Sequence, residues 1–589
     1  MVGVVGMKKY VFSLLIVLFL SISLCACATW GHEREMLPEA QNFRVENRVI
    51  TWDPVENASG YLVSFDGKKY QIEENSFSYH DLKVEGTYTC AVIALGDGEK
   101  YDNSVITYYE VTLNPPVEHG FDELGFEYTY MEDLGGYEIN AGKADLSGMV
   151  VLPDYFGDWP VKRIAGRMFK HELAYTVSSS GGRNIPNCFT EQYCDSITTG
   201  IQLPAHLESI GMRALGYIVN LEEIVIPDTV VEIGGGAFEG CKRLKKVVLP
   251  SNLKEIPLKC FENTALTEII LPEGLETIGG GAFKTEETEY GHIYSGVSEV
   301  IIPASVKEIG NNAFYGRRNL ETVILEGDYM ELIGASCFHD TAWFASQADG
   351  LVYLNDYFLY CCKGELPENA RVEIPTGTKC IASNAFGSQK KLCEVIIPEG
   401  VEFFGEGIFN KCSSLTSVSL PADIKTIPWI MFSECINLKT IILPEGLTAI
   451  DICAFQYSGL ESITIPSSVK SIGDSAFARC ESLKEISFPI GVEFLGFSVL
   501  GGCTALESIF IPASVKKIEA HPFRHCSSLT HVFFEGSSLD EFIKLFNKID
   551  DNVVAELKAE PIYYYSAEKP TEEGLYWHYV DGKPTPWET

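Results

Sequence analysis

Hydrophobic and polar letters follow one recurring order along most of this chain. From Val150 to Gly536 it reads L-x-x-[IV]-x-[IL]-P-x-x-[VL]-x-x-I-G-x-x-A-F-x-x-C-x-x, and leucine then begins it again. The stretches IPSSVKSIGDSAFARCESLKEISFP from Ile465, LPEGLTAIDICAFQYSGLESITIP from Leu443 and IPASVKKIEAHPFRHCSSLTHVFF from Ile511 show it. Prolines keep the register, at Pro153, Pro204, Pro227, Pro250, Pro272, Pro303, Pro375, Pro398, Pro421, Pro444, Pro466, Pro489 and Pro512, most neighbours 23 residues apart and a few 22. A period of about 20–50 residues predicts a solenoid whose coils each touch only their neighbours.

Within the phrase, leucine and the two aliphatics of I-x-I fall on alternate places of an extended segment and point to one side. Proline ends that segment because it has no N–H for a sheet ladder. The [VL]-x-x-I letters predict a second short extended piece, glycine a bend, and Ala-Phe one small and one large core filler. Cys241, Cys412, Cys435, Cys480, Cys503 and Cys526 each stand three residues after the phenylalanine slot. Stacking places them in a buried ladder of free thiols that pack as small hydrophobes.

Three interruptions break the period. Pro153 and Pro204 are 51 residues apart, with the excess around His171 to Thr199, and Pro272 to Pro303 gains 8 around Thr285 to Ile293. Between Glu326, in a proline slot, and Pro375 lie 49 residues. There Leu351-Val352-Tyr353-Leu354 and Tyr357-Phe358-Leu359-Tyr360 predict a hairpin about Asn355-Asp356, and Trp343 with Phe344 is expected on a protrusion. Phe121 to Gly148 is read as a cap on the first coil. A helix is expected over Leu539 to Leu557, and the Tyr- and Trp-rich tail completes a C-terminal cap over 537–589.

Residues 36–115 lack the phrase and alternate like strands. Trp52-Asp53-Pro54, Gly60-Tyr61, and Leu82 with Tyr88 six residues later resemble a fibronectin type III domain, which implies a small β-sandwich acting as a spacer or binding module. At the N-terminus, Lys8 and Lys9 precede the apolar run Tyr10 to Leu24, too short for a membrane span of about twenty residues. Leu24-Cys25-Ala26-Cys27 resembles a bacterial lipobox, although Cys25 stands where Ala, Ser or Thr is usual; that implies a signal over 1–27 and lipidation of Cys27. A plain secretory signal cut nearby is the alternative.

Composition then narrows the function. A formal net charge of −36 argues against nucleic-acid binding, since phosphate backbones are repelled, and permits a cationic partner. The eleven histidines are scattered without metal-ligand spacing, and no G-x-S-x-G occurs. The triple glycines at 234–236 and 279–281 occupy the bend of the phrase and are not phosphate loops. Neither catalysis, a cofactor nor a metal is expected. Cys188 and Cys194 lie in the first insertion, where they could pair locally.

The recurrence of I-G-x-x-A-F-x-x-C-x-x-L over roughly residues 120–536 resembles the BspA type of leucine-rich repeat. That resemblance implies a mainly β solenoid on a bacterial surface protein, associated with adhesion to host matrix proteins or to other bacteria. A ligand has two places to bind. One is the letter between the two aliphatics, which must face outward: Val225, Val248, Ile270, Ile301, Ile324, Glu373, Ile396, Ser419, Ile442, Thr464, Ser487, Phe510 and Phe533. So apolar a row marks an interaction surface, unless it only reflects the strand preference of β-branched residues or lies under a neighbouring element. The other is the insertions, with Trp343 and Phe344. The expected function is protein binding at the outer face of the cell envelope, through a lipid anchor; the alternatives are a glycan-binding or scaffold lipoprotein, or a structural envelope protein.

Overall fold

The structure, a computed structural model, describes residues 34–46, 48–79, 82, 84–169, 198–286, 296–546, 562–571 and 574–587. The signal segment with Cys27, and Cys188 with Cys194, lie outside the described residues. Among the described residues no helix is long and apolar enough to cross a membrane. The chain divides into two units: one runs to Glu118 and includes residues 130–136 and 155–160, and the other contains the rest.

In the first unit two antiparallel sheets face each other across an aromatic core. One joins Arg44–Glu46, Val49–Thr51 and Ser76–Ser78; the other orders Lys68–Ile72, Gly60–Phe65, Gly86–Leu95 and Thr107–Leu113. Alternation along Gly60–Phe65 sends Tyr61, Val63 and Phe65 inward. Trp52 is buried edge-on against Tyr61 at 5.2 Å, and the Tyr88 hydroxyl donates to the Val84 carbonyl at 2.6 Å.

The second unit is a mainly β solenoid of about 16 turns. Most coils carry two strand segments, each stacking in parallel on the same segment of a neighbouring coil; the I-x-I letters around Ile270, Ile442 and Thr464 are outside strands. The I-x-I letters form the longer ones, such as Glu223–Val225 on Lys246–Val248, Glu299–Ile302 on Thr322–Leu325, and Glu485–Ser487 on Ser508–Ile511 on His531–Phe534. Two-residue segments form the second stack, as in Glu255–Ile256, Thr277–Ile278, Glu308–Ile309 and Leu332–Ile333. Register matches like with like: Ile224 faces Val247 and Ile278 faces Ile309, so each inward letter makes a continuous spine.

Phenylalanine forms a third stack. Phe238, Phe261, Phe283, Phe314 and Phe338 lie ring over ring at 5.2 to 5.5 Å, and Phe386, Phe409, Phe432, Phe455 and Phe477 continue at 5.3 to 5.6 Å. Between the two runs Tyr360 meets Phe338 edge-on at 5.9 Å. That break is the third insertion. Its hairpin forms as expected, Gly350–Tyr353 antiparallel to Phe358–Lys363, and the second strand pairs in parallel with Cys380–Ile381, as a coil would.

The glycine of the phrase has a different reason from the one its sequence suggested. Gly310, Gly334, Gly405 and Gly496 keep ordinary φ, but a Cβ on any of them would drive into a backbone nitrogen of the preceding coil. Close approach of two coils, not a bend, selects glycine there. The bend comes two residues later, just before Ala-Phe, in the left-handed region: Lys259, Gly281, Asn312, Ser336, Asn384, Ser475 and Ser498 all have φ between 51° and 61°. Polar residues that tolerate this region share the position with glycine.

At the C-terminal end a helix spans Leu539–Lys544 with Leu545 as its C-cap, and the rest of the expected helix, residues 547–557, lies outside the described residues. Ser538 caps it, accepting from the Glu541 amide, while the Glu541 carboxylate accepts from the Ser537 amide. Ile562–Tyr565 then joins the long sheet beside His531–Phe534, followed by Tyr576–Val580 and Lys583–Pro586.

Candidate functional site

Because I-x-I is extended and stacked in register, its middle letter forms one outward row with coils about 4.8 Å apart. Val225, Val248, Ile270, Ile301 and Ile324 are all exposed on five successive coils, and Ile442 is 88% exposed. Ile396 is half-buried, whereas Glu373, Ser419, Thr464 and Ser487 present polar groups. The row also begins earlier than expected: Met149 and Val151, on the strand ending at Pro153, are exposed and apolar too. The phrase itself carried that signal, in Val150-Val151-Leu152-Pro153.

Two members of the row depart from expectation. Phe510 and Phe533 are only 8% and 7% exposed, because the C-terminal strands curl over them. Trp577 is fully buried between the two rings, at 5.7 and 5.8 Å, and its indole N–H donates to the Phe534 carbonyl at 2.9 Å. Tyr563 packs on Phe533 at 5.6 Å, and Tyr579 closes over Trp577 at 4.9 Å. The outward row is thus core at its C-terminal end and surface over Val225 to Ile324.

Trp343 and Phe344 also depart from expectation. They sit on a short helix, Ala342–Ser346, capped by Thr341, that folds back onto the solenoid. Trp343 is buried against Phe338 at 5.5 Å and Tyr360 at 6.0 Å, and Phe344 lies on His339 at 4.2 Å. An indole is too large an apolar body to leave on a protrusion when a gap in the phenylalanine stack can take it.

A second exposed apolar row was missed in the sequence. It uses the letter after the glycine slot, where Trp429, Ile452 and Phe497 are exposed. Where the same letter is small the surface sinks into an open groove of about 420 Å³, floored by Gly280, Gly281 and Gly310 and walled by Lys259, Glu262 and Asn312. Glu262 is buried there, and its charge is met within the chain by Lys259 at 2.9 Å and Lys284 at 3.7 Å.

The thiols do more than pack. All fourteen described cysteines are free. In the ladder each S–H donates to a carbonyl of the coil before: Cys412 to Phe386 at 3.0 Å, Cys435 to Phe409 at 3.2 Å, Cys480 to Phe455 at 3.1 Å and Cys503 to Phe477 at 3.1 Å. Burial pushes Cys241 and Cys412 up to about 12 and Cys435 well above the ordinary thiol range. These are protonated structural donors and not nucleophiles.

Arg317 occupies the same slot one coil after the second insertion, 0% exposed. Its Nε donates to the Phe283 carbonyl at 2.5 Å, the acceptor a cysteine would have used, and its terminal nitrogens reach the Thr264 carbonyl at 2.9 Å and hydroxyl at 3.0 Å. Among the described residues no carboxylate answers it; desolvation lowers its pKa to about 9. Among the described residues no group of three or more His, Cys, Asp or Glu could hold a metal ion.

Comparison with known proteins bears on this geometry. The BspA type leucine rich repeat region family matches in six copies over residues 185–300, 289–364, 353–469 and 448–545. No curated protein matches. Among solved structures, a leucine-rich repeat protein from Bacteroides ovatus is 22% identical over 75% of this chain and 99% of its own, with a TM-score of 0.31. A leucine rich cell surface protein from Faecalibacterium prausnitzii is 20% identical over 74% and 99%, TM-score 0.28. The pneumococcal vaccine antigen PcpA is 19% identical over 76% and 93%, TM-score 0.26.

Proposed function

Because the chain belongs to the BspA-type leucine-rich repeat family, we propose that it is a cell-surface binding protein whose stacked sheet presents an apolar row to a protein partner. The observation that carries this reading is the uncovered run Val225, Val248, Ile270, Ile301 and Ile324. Exposed branched aliphatics on five successive coils form a continuous strip, and such strips mark interaction surfaces more often than scattered apolar residues do. The same row is sealed at Phe510 and Phe533 by the chain's own aromatic tail, so strand preference alone does not explain where it is left open.

In this reading the lipobox places Cys27 in the membrane as a lipid anchor, residues 36–115 act as a spacer, and the solenoid stands at the outer face of the envelope. Cys188 and Cys194 could close a local loop in the first insertion. Phe510 and Phe533 drop out as contacts, as does Trp343.

The test uses the mature chain against immobilised host matrix proteins, bacterial cells and a glycan panel side by side. Saturable binding to protein, weakened by Ile270→Ser, Ile301→Ser and Ile324→Ser without a change in thermal unfolding, supports the reading. Full binding by those variants overturns it. Glycan binding is the second reading, favoured by the exposed Trp429 indole; it requires carbohydrate competition and loss on Trp429→Ala.

A further inference from the structure

We infer that the segment seated on the Val225–Ile324 row is a basic amphipathic helix of a protein partner, its apolar face on the row and its lysines or arginines along both borders. This rests on the reading of that row as a docking face and adds the chemistry of what docks.

The borders are acidic. Two letters before Val225, Ile270 and Ile301 stand Glu223, Glu268 and Glu299, all exposed, while Ile324 has Thr322 there. On the other side, where the chain turns after proline, stand Asp228 and Glu273, also exposed. Lys246 is the one cation among these border positions from Glu223 to Glu299.

None of the five carboxylates is ion-paired among the described residues. Their neighbours one row away are: Glu222 holds Lys245 at 3.3 Å, and Glu276 holds Lys254 at 3.3 Å and Lys307 at 3.0 Å. The solenoid pairs its charges across adjacent coils elsewhere and leaves these without an ion pair among the described residues, Asp228 accepting from the Ser251 backbone amide at 2.8 Å. Facing such borders a neutral or acidic partner gains nothing, while a cationic one gains on both sides. An anionic lipid surface is repelled by the same carboxylates.

Dimensions choose the helix. Four intervals of about 4.8 Å make a strip of about 19 Å. A helix covers that length in about 13 residues at 1.5 Å each, and its turns repeat every 5.4 Å, close to the coil spacing. Residues at i, i+3, i+7 and i+10 can then fall one per coil, and flanking positions reach both borders. Main-chain pairing joins Glu223–Val225 to Lys246–Val248 and Glu299–Ile302 to Thr322–Leu325, and what all five coils present outward is side chains, which a helix meets with its own.

The probe is a synthetic 14-residue helix of leucine and lysine, with leucine–glutamate and leucine–glutamine versions of the same pattern. It is titrated against the full mature chain by fluorescence anisotropy at low and high salt. Expected is saturable binding of the lysine peptide, weaker at high salt, and none of the glutamate peptide. Glu223→Gln, Glu268→Gln and Glu299→Gln together should weaken binding about tenfold, from three exposed pairs of modest strength each, and flatten the salt dependence. Ile270→Ser with Ile301→Ser should abolish it.

A control removing the same charge elsewhere, Glu132→Gln with Glu481→Gln and Glu568→Gln, should leave it unchanged. Equal losses in the control and border variants overturn the inference, since the acidic chain is then a diffuse attractor. Failure of the lysine peptide to bind, or binding untouched by the serine variants, also overturns it. If a matrix protein still needs Ile270, Ile301 and Ile324 in those cases, the docking face stands and only the partner chemistry falls.

Discussion

Trp577→Ala tests whether the C-terminal strands are held by the same face that is left open further up the solenoid. Trp577 is fully buried among Phe510, Phe533, Tyr565 and Tyr579, with ring centroids 4.9 to 5.8 Å away. Truncating a buried tryptophan costs about 3–5 kcal/mol, and losing its N–H bond to the Phe534 carbonyl adds about 1 kcal/mol. The sum, about 4–6 kcal/mol, exceeds what a few terminal strands hold by themselves. In a solenoid each coil depends on its neighbours, so the loss should stay local. Native-state hydrogen exchange reads it: amides of Tyr563–Tyr565 and Tyr576–Val580 should lose about a thousandfold to ten-thousandfold of protection, as about 1.4 kcal/mol is a factor of ten. The core around Phe432 and Phe455 should keep its protection. Exposing Phe510 and Phe533 should also lengthen the apolar row and promote self-association. Unchanged exchange at the tail, or an even loss along the whole array, would refute the account.

Three further outcomes follow from the packing. Gly334→Ala puts a Cβ onto the Asn311 backbone nitrogen and should destabilise by about 1–3 kcal/mol in thermal unfolding, whereas Ser336→Gly, at a left-handed residue, should be neutral or mildly stabilising. Arg317→Lys should destabilise by about 2 kcal/mol or more in denaturant unfolding, because a single ammonium cannot reach the Phe283 and Thr264 carbonyls together as the planar guanidinium does. Alkaline stability should fall between about pH 9 and pH 12: unfolded thiols ionise near 9, while Cys241 and Cys412 hold their protons up to about 12. With folded pKa values raised, their contribution is complete below pH 9 and is lost as pH climbs through that window. Urea midpoints across pH 7–12 measure it, and a flat profile contradicts the burial.

Much of the fold was legible because a solenoid repeats its constraints. One inward letter buried in one coil is buried in all, so thirteen prolines and a line of Ala-Phe pairs gave the spine, the period and the insertions. The hairpin at Asn355-Asp356 was legible for the same local reason, two alternating runs about a tight turn. The cysteines were only half legible. Their burial follows from spacing, but that each S–H meets a carbonyl of the coil before depends on coil height and offset, which no letter states.

What the sequence determined by itself is the alternation of inward and outward letters, and with it the stack of coils, because side chains on an extended strand must alternate. What only the tertiary structure decided is which outward letters stay outward. Phe510 and Ile301 are the same letter of the same phrase, yet Trp577, far along the chain, covers one and leaves the other in solvent. Glycine's place was likewise decided between coils, where a backbone nitrogen occupies the space a Cβ would need. Periodicity fixes what a residue does within its coil; contact between distant segments fixes whether that position is core or surface.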